Sequence, residues 1–219
     1  LNLVTGGTGG LGLLTARWLA QHGARALVLA SRSGALALDT MGDWALLQAA
    51  NVAAALERCD TGQAAHAARL VGYGHGCAAL GIWHAAGVLA DGLLPAQSSS
   101  ALAGVYAPKV SGASTLQQVH APTPLHAYAL FSSVAALLGG AAQANYSAAN
   151  ASLDALAASR RLQSLAAASV QWGAWAEVGM AARGAAGERL AAMEAASGFG
   201  RLGLAQGLGA LHAAVRPGA

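Results

Sequence analysis

Apolar residues in this chain gather in short unbroken runs. Residues 1–5 (LNLVT), 26–30 (ALVLA), 79–84 (ALGIWH), 127–132 (AYALFS) and Ala168–Trp172 (ASVQW) are each five or six residues long. Runs of that length suit parallel strands buried on both faces. Between them, residues 11–22, 44–55, 101–120 and 145–165 are rich in Ala and Leu and long enough for helices. One more strand is expected just before Asp60. Strand–helix alternation of this kind predicts right-handed crossovers and an α/β fold: a Rossmann-like doubly wound parallel sheet with helices on both faces. No internal repeat or linker divides the chain, so residues 1–219 are read as a single domain. Residues 176–200 are expected to form a lid, with a short helix over 184–196. The stretch 198–209 is interrupted by glycines, and the last forty residues are expected to be the least regular part.

Composition narrows the function classes. The chain is 55% hydrophobic and only 10% charged, which excludes a disordered segment. The longest uncharged stretch, residues 110–153, is broken by Ser, Gln, His, Asn and two prolines, so it is not read as a membrane span. A net charge of +3 without any basic block excludes a nucleic-acid footprint. Two cysteines, Cys59 and Cys77, are too few for a disulfide framework and suggest a reducing, cytoplasmic setting. Those cysteines and His66, His75 and His84 show no ligand spacing, so no metal site is expected. The first residues already read as a strand, with neither an initiator Met nor a signal segment, and the chain is expected to be part of a longer one. Lys109 is the only lysine among twelve basic residues. Either chance left it there, or the position needs a compact ammonium that the planar guanidinium of Arg cannot imitate.

The first strand runs into Thr5-Gly6-Gly7-Thr8-Gly9-Gly10-Leu11-Gly12, which opens the first helix. Glycine there lets the backbone turn tightly and approach a pyrophosphate, and the helix N-terminus offers free N–H groups to the phosphates. The second strand ends at Ser31-Arg32, where an NAD-selective site would place a carboxylate on the ribose 2′-hydroxyl. Arg32 and Ser31 suit a 2′-phosphate instead, which favours NADPH. Asp60 is a candidate acceptor for an adenine amino group. Ala85, Ala86 and Gly87 leave room for a cofactor beside the backbone after the next strand.

Ser133 closes the fifth strand and Tyr146 opens the following helix, with Asn150 four residues on and on the same helix face. A phenol in such a crevice can protonate a carbonyl oxygen while hydride reaches the carbon. A free phenol titrates near pH ~10, so work near neutrality requires a downward shift, for which the Lys109 ammonium is the candidate source. Taken singly, Tyr146 reads equally as a packing residue and Ser133 as a strand-end cap; their joint placement beyond a nucleotide loop points to catalysis.

Together these stretches resemble the ketoreductase domains of modular type I polyketide synthases, in the short-chain dehydrogenase/reductase superfamily. The similar segments are residues 5–12, 29–34 (LASRSG), Cys59-Asp60, 84–91 (HAAGVLAD), Lys109, 131–133 (FSS), 143–150 (QANYSAAN) and 171–180 (QWGAWAEVGM), in the family's order. Most of the superfamily places the lysine four residues after the tyrosine; synthase ketoreductases exchange it with the asparagine, as Tyr146, Asn150 and Lys109 do. The resemblance implies Tyr146 as proton donor and Ser133 as hydrogen-bond donor to the substrate carbonyl. It implies that Lys109 binds the nicotinamide ribose and depresses the Tyr146 pKa, and that Asn150 orders a water relay. NADPH is the implied cofactor, and the implied reaction reduces a β-ketoacyl thioester on an acyl carrier protein. An upstream structural half and neighbouring synthase domains are implied partners. Ketoreductases of type I fatty acid synthases and non-catalytic reductase-like scaffolds are the alternatives. Stereocontrol residues carry over as Asp91 in a Leu-Ala-Asp variant of a Leu-Asp-Asp motif, Asn145 before the tyrosine, and Leu138 where the opposite class has Trp. They imply a B-type domain giving a D-configured hydroxyl. Trp172, Trp175 and Met180 are expected either to line a lid over the acyl chain or to belong to the core.

Overall fold

A computed structural model of the chain describes residues 1–77, 80–120, 124–179, 198 and 200–215. Six strands, β1 (Asn2–Thr5), β2 (Ala26–Ser31), β3 (Ala53–Arg58), β4 (Leu80–His84), β5 (Leu125–Ser133) and β6 (Ala168–Trp172), form one parallel sheet. Their order is β3-β2-β1-β4-β5-β6. The helices are α1 (Gly10–Gln21), α2 (Met41–Ala49), α3 (Ala64–Gly72), α4 (Ser99–Tyr106), α5 (Gly112–Val119), α6 (Ala135–Leu138), α7 (Ala144–Leu162) and α8 (Leu204–Ala214).

Alternate strand residues serve opposite faces, as the strand pleat requires. Leu3, Val28, Ile82, Tyr128 and Leu130 pack under α3, α5 and α7. Val4, Leu29, Trp83, Ala129 and Phe131 pack under α1, α2 and α8. Both faces are therefore covered, which is why the strands read as unbroken apolar runs. The strand order reverses between β1 and β4, and a crevice outside the carboxyl ends of these two strands is the ligand position of such sheets. Among the described residues no helix is long and apolar enough to cross a membrane.

Three expected elements differ. The helix expected over 44–55 stops at Ala49, because Asn51 adopts a left-handed φ of 57° and turns the chain into β3. The helix expected over 101–120 is broken in the middle by a π-helical turn, Ala107–Ser111, which carries Lys109. The glycine-broken stretch 198–209 runs into a regular helix, α8. There Gly207 is required by packing, since a Cβ at that position would fall on the Trp175 ring. Most of the expected lid, residues 180–197 and 199, and with it Met180, lies outside the described residues.

Candidate active site

The loop after β1 shapes the crevice through three glycines. Gly6 has a φ of +67°, and a Cβ on it would lie 2.8 Å from the Ala85 carbonyl oxygen after β4. A Cβ on Gly7 would lie 2.6 Å from Val4 O, and one on Gly12 would fall on Gly6 O. The loop thus lies flat between the strand ends and leaves a cleft of about 260 Å³. Thr5, Gly6, Thr8, Gly9, Gly10, Leu11 and Gly12 line one wall, Ser31 and Arg32 close the far end, and Ala85, Ala86 and Gly87 form the other side. The α1 N-terminus begins at Gly10 and faces this space. Small residues, an open helix end and a terminal guanidinium fit a pyrophosphate-linked dinucleotide.

One position in this region was read differently from the sequence. Asp60 does not line the cleft: its Oδ1 accepts from Gly62 N at 3.0 Å, and it lies in a shallow pocket beside Arg32, Arg58, Gln63 and His66. Its neighbours Cys59 and Thr61 line the cleft instead, as do Val88 and Pro108. Of the Cys59-Asp60 pair, Cys59 faces the cleft and Asp60 lies beside it.

Beside the cleft, behind its lining residue Gly87, the structure brings Lys109, Asn150, Tyr146 and Ser133 together. Lys109 is 3% exposed and its Nζ donates to Phe131 O and to Asn150 Oδ1, both at 2.9 Å. Asn150 is fully buried and its Nδ2 donates to Tyr146 O at 2.8 Å, one helical turn back. This back-bond occupies a side chain that otherwise competes with the helix backbone. Ser132 Oγ donates to Asn150 O at 3.2 Å, tying β5 to α7. Lys109 Nζ sits 5.2 Å from the centre of the Tyr146 ring. Gly87 lets the lysine stem pass, since a Cβ there would lie 3.0 Å from Lys109 Cε.

The electrostatics correct one expectation. Burial pushes the Tyr146 phenol above its ordinary value; hydrogen bonds to Asn150 and Ser133 pull it back, and the nearby Asp91 carboxylate pushes it up again. Lys109 is not among the causes. Its ammonium is directed at two oxygens rather than at the phenol, and burial lowers its own pKa to about 8, against a small upward pull from Asp154. Desolvation of the tyrosine therefore outweighs the expected depression.

Two of the stereocontrol candidates, Asp91 and Asn145, meet where the chain after β4 passes the start of α7. Asn145 Nδ2 donates to Ala90 O at 2.8 Å, while its Oδ1 accepts from Tyr146 N at 2.7 Å. Gln143 Nε2 donates to Asp91 Oδ1 at 3.3 Å. Leu138 lies exposed on α6. Of the two readings open for Trp172, the structure takes the core: it is 6% exposed and packs between Phe131 and Trp175, ring centroids 5.7 and 5.1 Å away.

Similarity to known proteins agrees with this geometry. A family model described as the KR domain matches residues 1–177. The chain is 46% identical over 191 residues to polyketide synthase GfsB of Streptomyces halstedii, covering 86% of this chain and 3% of that protein. It is 42% identical over 190 residues to erythronolide synthase EryA2 of Saccharopolyspora erythraea, covering 86% of this chain and 5% of that one. The chain thus spans a small fraction of the curated relatives it matches. Among solved structures, A-type ketoreductases from a modular polyketide synthase align with a TM-score of 0.89 at 38% identity, over 98% of this chain and 45% of theirs. The first-module ketoreductase of phoslactomycin biosynthesis in Streptomyces sp. HK803 aligns with a TM-score of 0.86 at 33% identity, over 100% of this chain and 50% of its own. A nucleotide crevice at the β1–β4 switch point, with tyrosine, serine, asparagine and a transposed lysine beside it, is how the chain belongs to the ketoreductase (KR) domain family of modular polyketide synthases, within the short-chain dehydrogenase/reductase superfamily.

Proposed function

We propose that this chain is the NADPH-dependent catalytic ketoreductase domain of a polyketide synthase. It reduces a β-ketoacyl thioester, presented on the phosphopantetheine of an acyl carrier protein, to the D-configured β-hydroxyacyl thioester. The observation that carries this reading is the joint placement of Tyr146, Asn150 and the buried Lys109, whose Nζ donates to Asn150 Oδ1 and lies 5.2 Å from the Tyr146 ring centre. In this reading residues 1–219 form one catalytic domain that works beside an upstream structural half and neighbouring synthase domains.

The residues divide the work as follows. The nicotinamide, when bound, supplies hydride to the carbonyl carbon. Tyr146 gives its phenolic proton to the carbonyl oxygen, and Ser133, on the strand end facing it, donates a hydrogen bond to the same oxygen. A phenol held neutral by burial is a competent donor at neutral pH, and the hydrogen bond from Asn150 stabilises the phenolate left behind. Lys109, anchored on Phe131 O and Asn150 Oδ1, keeps one N–H that would serve the nicotinamide ribose, and Asn150 would order the water that restores the proton. Arg32 and Ser31 would hold the 2′-phosphate, since Ser31-Arg32 closes β2 at the place where an NAD-selective site carries a carboxylate.

The D-configuration is supported by Asp91, Asn145 and Leu138. It rests on those positions and not on overall similarity, because A-type ketoreductases share the same fold.

The test follows NADPH oxidation with a short β-ketoacyl thioester and resolves the hydroxy product on a chiral column. The D-product is expected; the L-product would discard the stereochemical assignment and keep the reductase. Tyr146→Phe is expected to lower kcat by about 10²–10⁴-fold while leaving NADPH binding in place. Unchanged reduction by that variant would refute the assignment of the proton donor.

A further inference from the structure

His84 is fully buried at the end of β4, and nothing in the chemistry above uses it. It does not line the nucleotide cleft. Its Nε2 lies 3.0 Å from the Lys109 carbonyl oxygen, and its Nδ1 lies 2.7 Å from Thr5 Oγ1. A carbonyl oxygen only accepts, so the ring proton sits on Nε2 and Nδ1 takes the proton of the Thr5 hydroxyl. Both nitrogens are engaged, and the orientation of the ring is fixed. Burial keeps it neutral, with a pKa lowered to about 4.

The accepting carbonyl belongs to an unusual piece of backbone. Lys109 sits inside the π-helical turn between α4 and α5, where Gly112 N donates both to Ala107 O, five residues back, and to Lys109 O. Such a turn holds one residue more than α-helical register and is an uncommon device found mostly at functional sites. Reverting to α register would rotate the residues before the turn by roughly 100° relative to those after it. That slip would carry Lys109 Nζ away from Asn150 Oδ1 and Phe131 O. Gly112 lets the imidazole come close: a Cβ there would lie 3.0 Å from His84 Cε1 and 2.5 Å from Thr61 Oγ1.

We infer that His84 is the positioning residue of Lys109: its Nε2–H holds the Lys109 carbonyl, keeps the wide turn in register and so keeps the ammonium on Asn150 and Phe131. The consequence for turnover rests on the proposed role of Lys109; the His84 bond itself does not. The Thr5 bond ties the same ring to the strand end from which the nucleotide loop departs, so one buried side chain spans both halves of the cleft.

Two isosteric variants separate this from mere packing. The amide nitrogen of glutamine reaches roughly the place of Nε2, whereas the polar end of asparagine reaches roughly that of Nδ1. His84→Gln is expected to keep kcat within about threefold of the unsubstituted protein. His84→Asn is expected to lose about tenfold or more in kcat, with KM for NADPH and thioester nearly unchanged. Equal loss in both variants, or full activity in His84→Asn, would overturn the inference. A second measurement does not depend on the variants folding. The ring ¹⁵N signals of unsubstituted His84 should report the Nε2–H tautomer without titration between about pH 5.5 and pH 8. An Nδ1–H tautomer, or titration in that range, would overturn the inference as well. Absence of any ketone reduction by the unsubstituted protein would overturn the functional reading instead, with the tautomer still deciding the His84 bond.

Discussion

Replacing Lys109 with methionine separates the cost of the buried ammonium from its use. The side chain is 3% exposed and its pKa falls from the ordinary 10.5 to about 8 because burial penalises the charge. The unfolded chain therefore binds this proton more tightly than the native protein does. At one pKa unit per 1.36 kcal/mol, the ammonium lowers stability by about 3 kcal/mol at pH 7. As pH rises from 8 towards 10.5 the native state has already lost the proton and the unfolded state gives it up, so stability contributed by this group increases through that window. Methionine has similar length and no proton, and it leaves Asn150 Oδ1 and Phe131 O without their donor. Those two acceptors cost roughly 1–3 kcal/mol each, a pH-independent loss that largely offsets the relief of the charge at neutrality. Urea unfolding of both proteins at pH 7 and pH 10 should therefore give similar stabilities at pH 7. On going to pH 10, the unsubstituted protein should gain about 2.5 kcal/mol over Lys109→Met. Other titrating groups are common to both and cancel. Parallel pH dependences would refute the argument that this ammonium is held in a desolvated site. Ketone reduction by Lys109→Met should be lost at either pH.

Further outcomes follow from the cleft and the residues beside it. Arg32→Ala should weaken NADPH by about 10–100-fold and NADH far less, measured by titration calorimetry, because a charge-assisted hydrogen bond is worth roughly 1.5–3 kcal/mol; equal loss for both cofactors would remove Arg32 from the 2′-phosphate. Gly6→Ala forces a side chain into a φ of +67° with its Cβ 2.8 Å from Ala85 O. It should destabilise the protein by about 1–3 kcal/mol and abolish dinucleotide binding, as read by thermal melts with and without NADPH. Asn145→Ala frees the Ala90 carbonyl from the start of α7. Chiral chromatography should show a mixture of hydroxy products; an unchanged single product would remove Asn145 from stereocontrol.

The sheet was legible because its strands are short, continuous apolar runs, a pattern that only burial on both faces permits. Leu3 and Val4, or Leu130 and Phe131, look identical in a hydrophobicity string, and the pleat sends them to opposite layers. Edge strand β3 was expected before Asp60, but its first residues were read into the preceding helix, because Ala53-Ala54-Ala55 suits a helix as well as a strand; the decision lies in the left-handed Asn51 just before it. Trp172 and Trp175 were ambiguous for a similar reason. An aromatic at or just past a strand end reads as lid or core; the space left by Gly207 settles Trp175 for the core, and packing on Phe131 settles Trp172.

The site shows what spacing can and cannot reveal. Tyr146 and Asn150 belong to one helix, so their shared face follows from the 3.6-residue period alone. Lys109 stands on another element, and its place depends on a turn holding one residue too many for an α-helix, at a Pro-Lys-Val sequence with no visible mark of it. The residues that hold that turn come from the sheet: His84 bonds Lys109 O, and Tyr128 Oη donates to Ala113 O at 2.7 Å, one helical turn further on. Periodicity describes an element against its own axis, and this register is set by donors from two neighbouring strands. The single lysine is thus placed less by its own helix than by β4 and β5, which is why composition could single it out and only the fold could aim it.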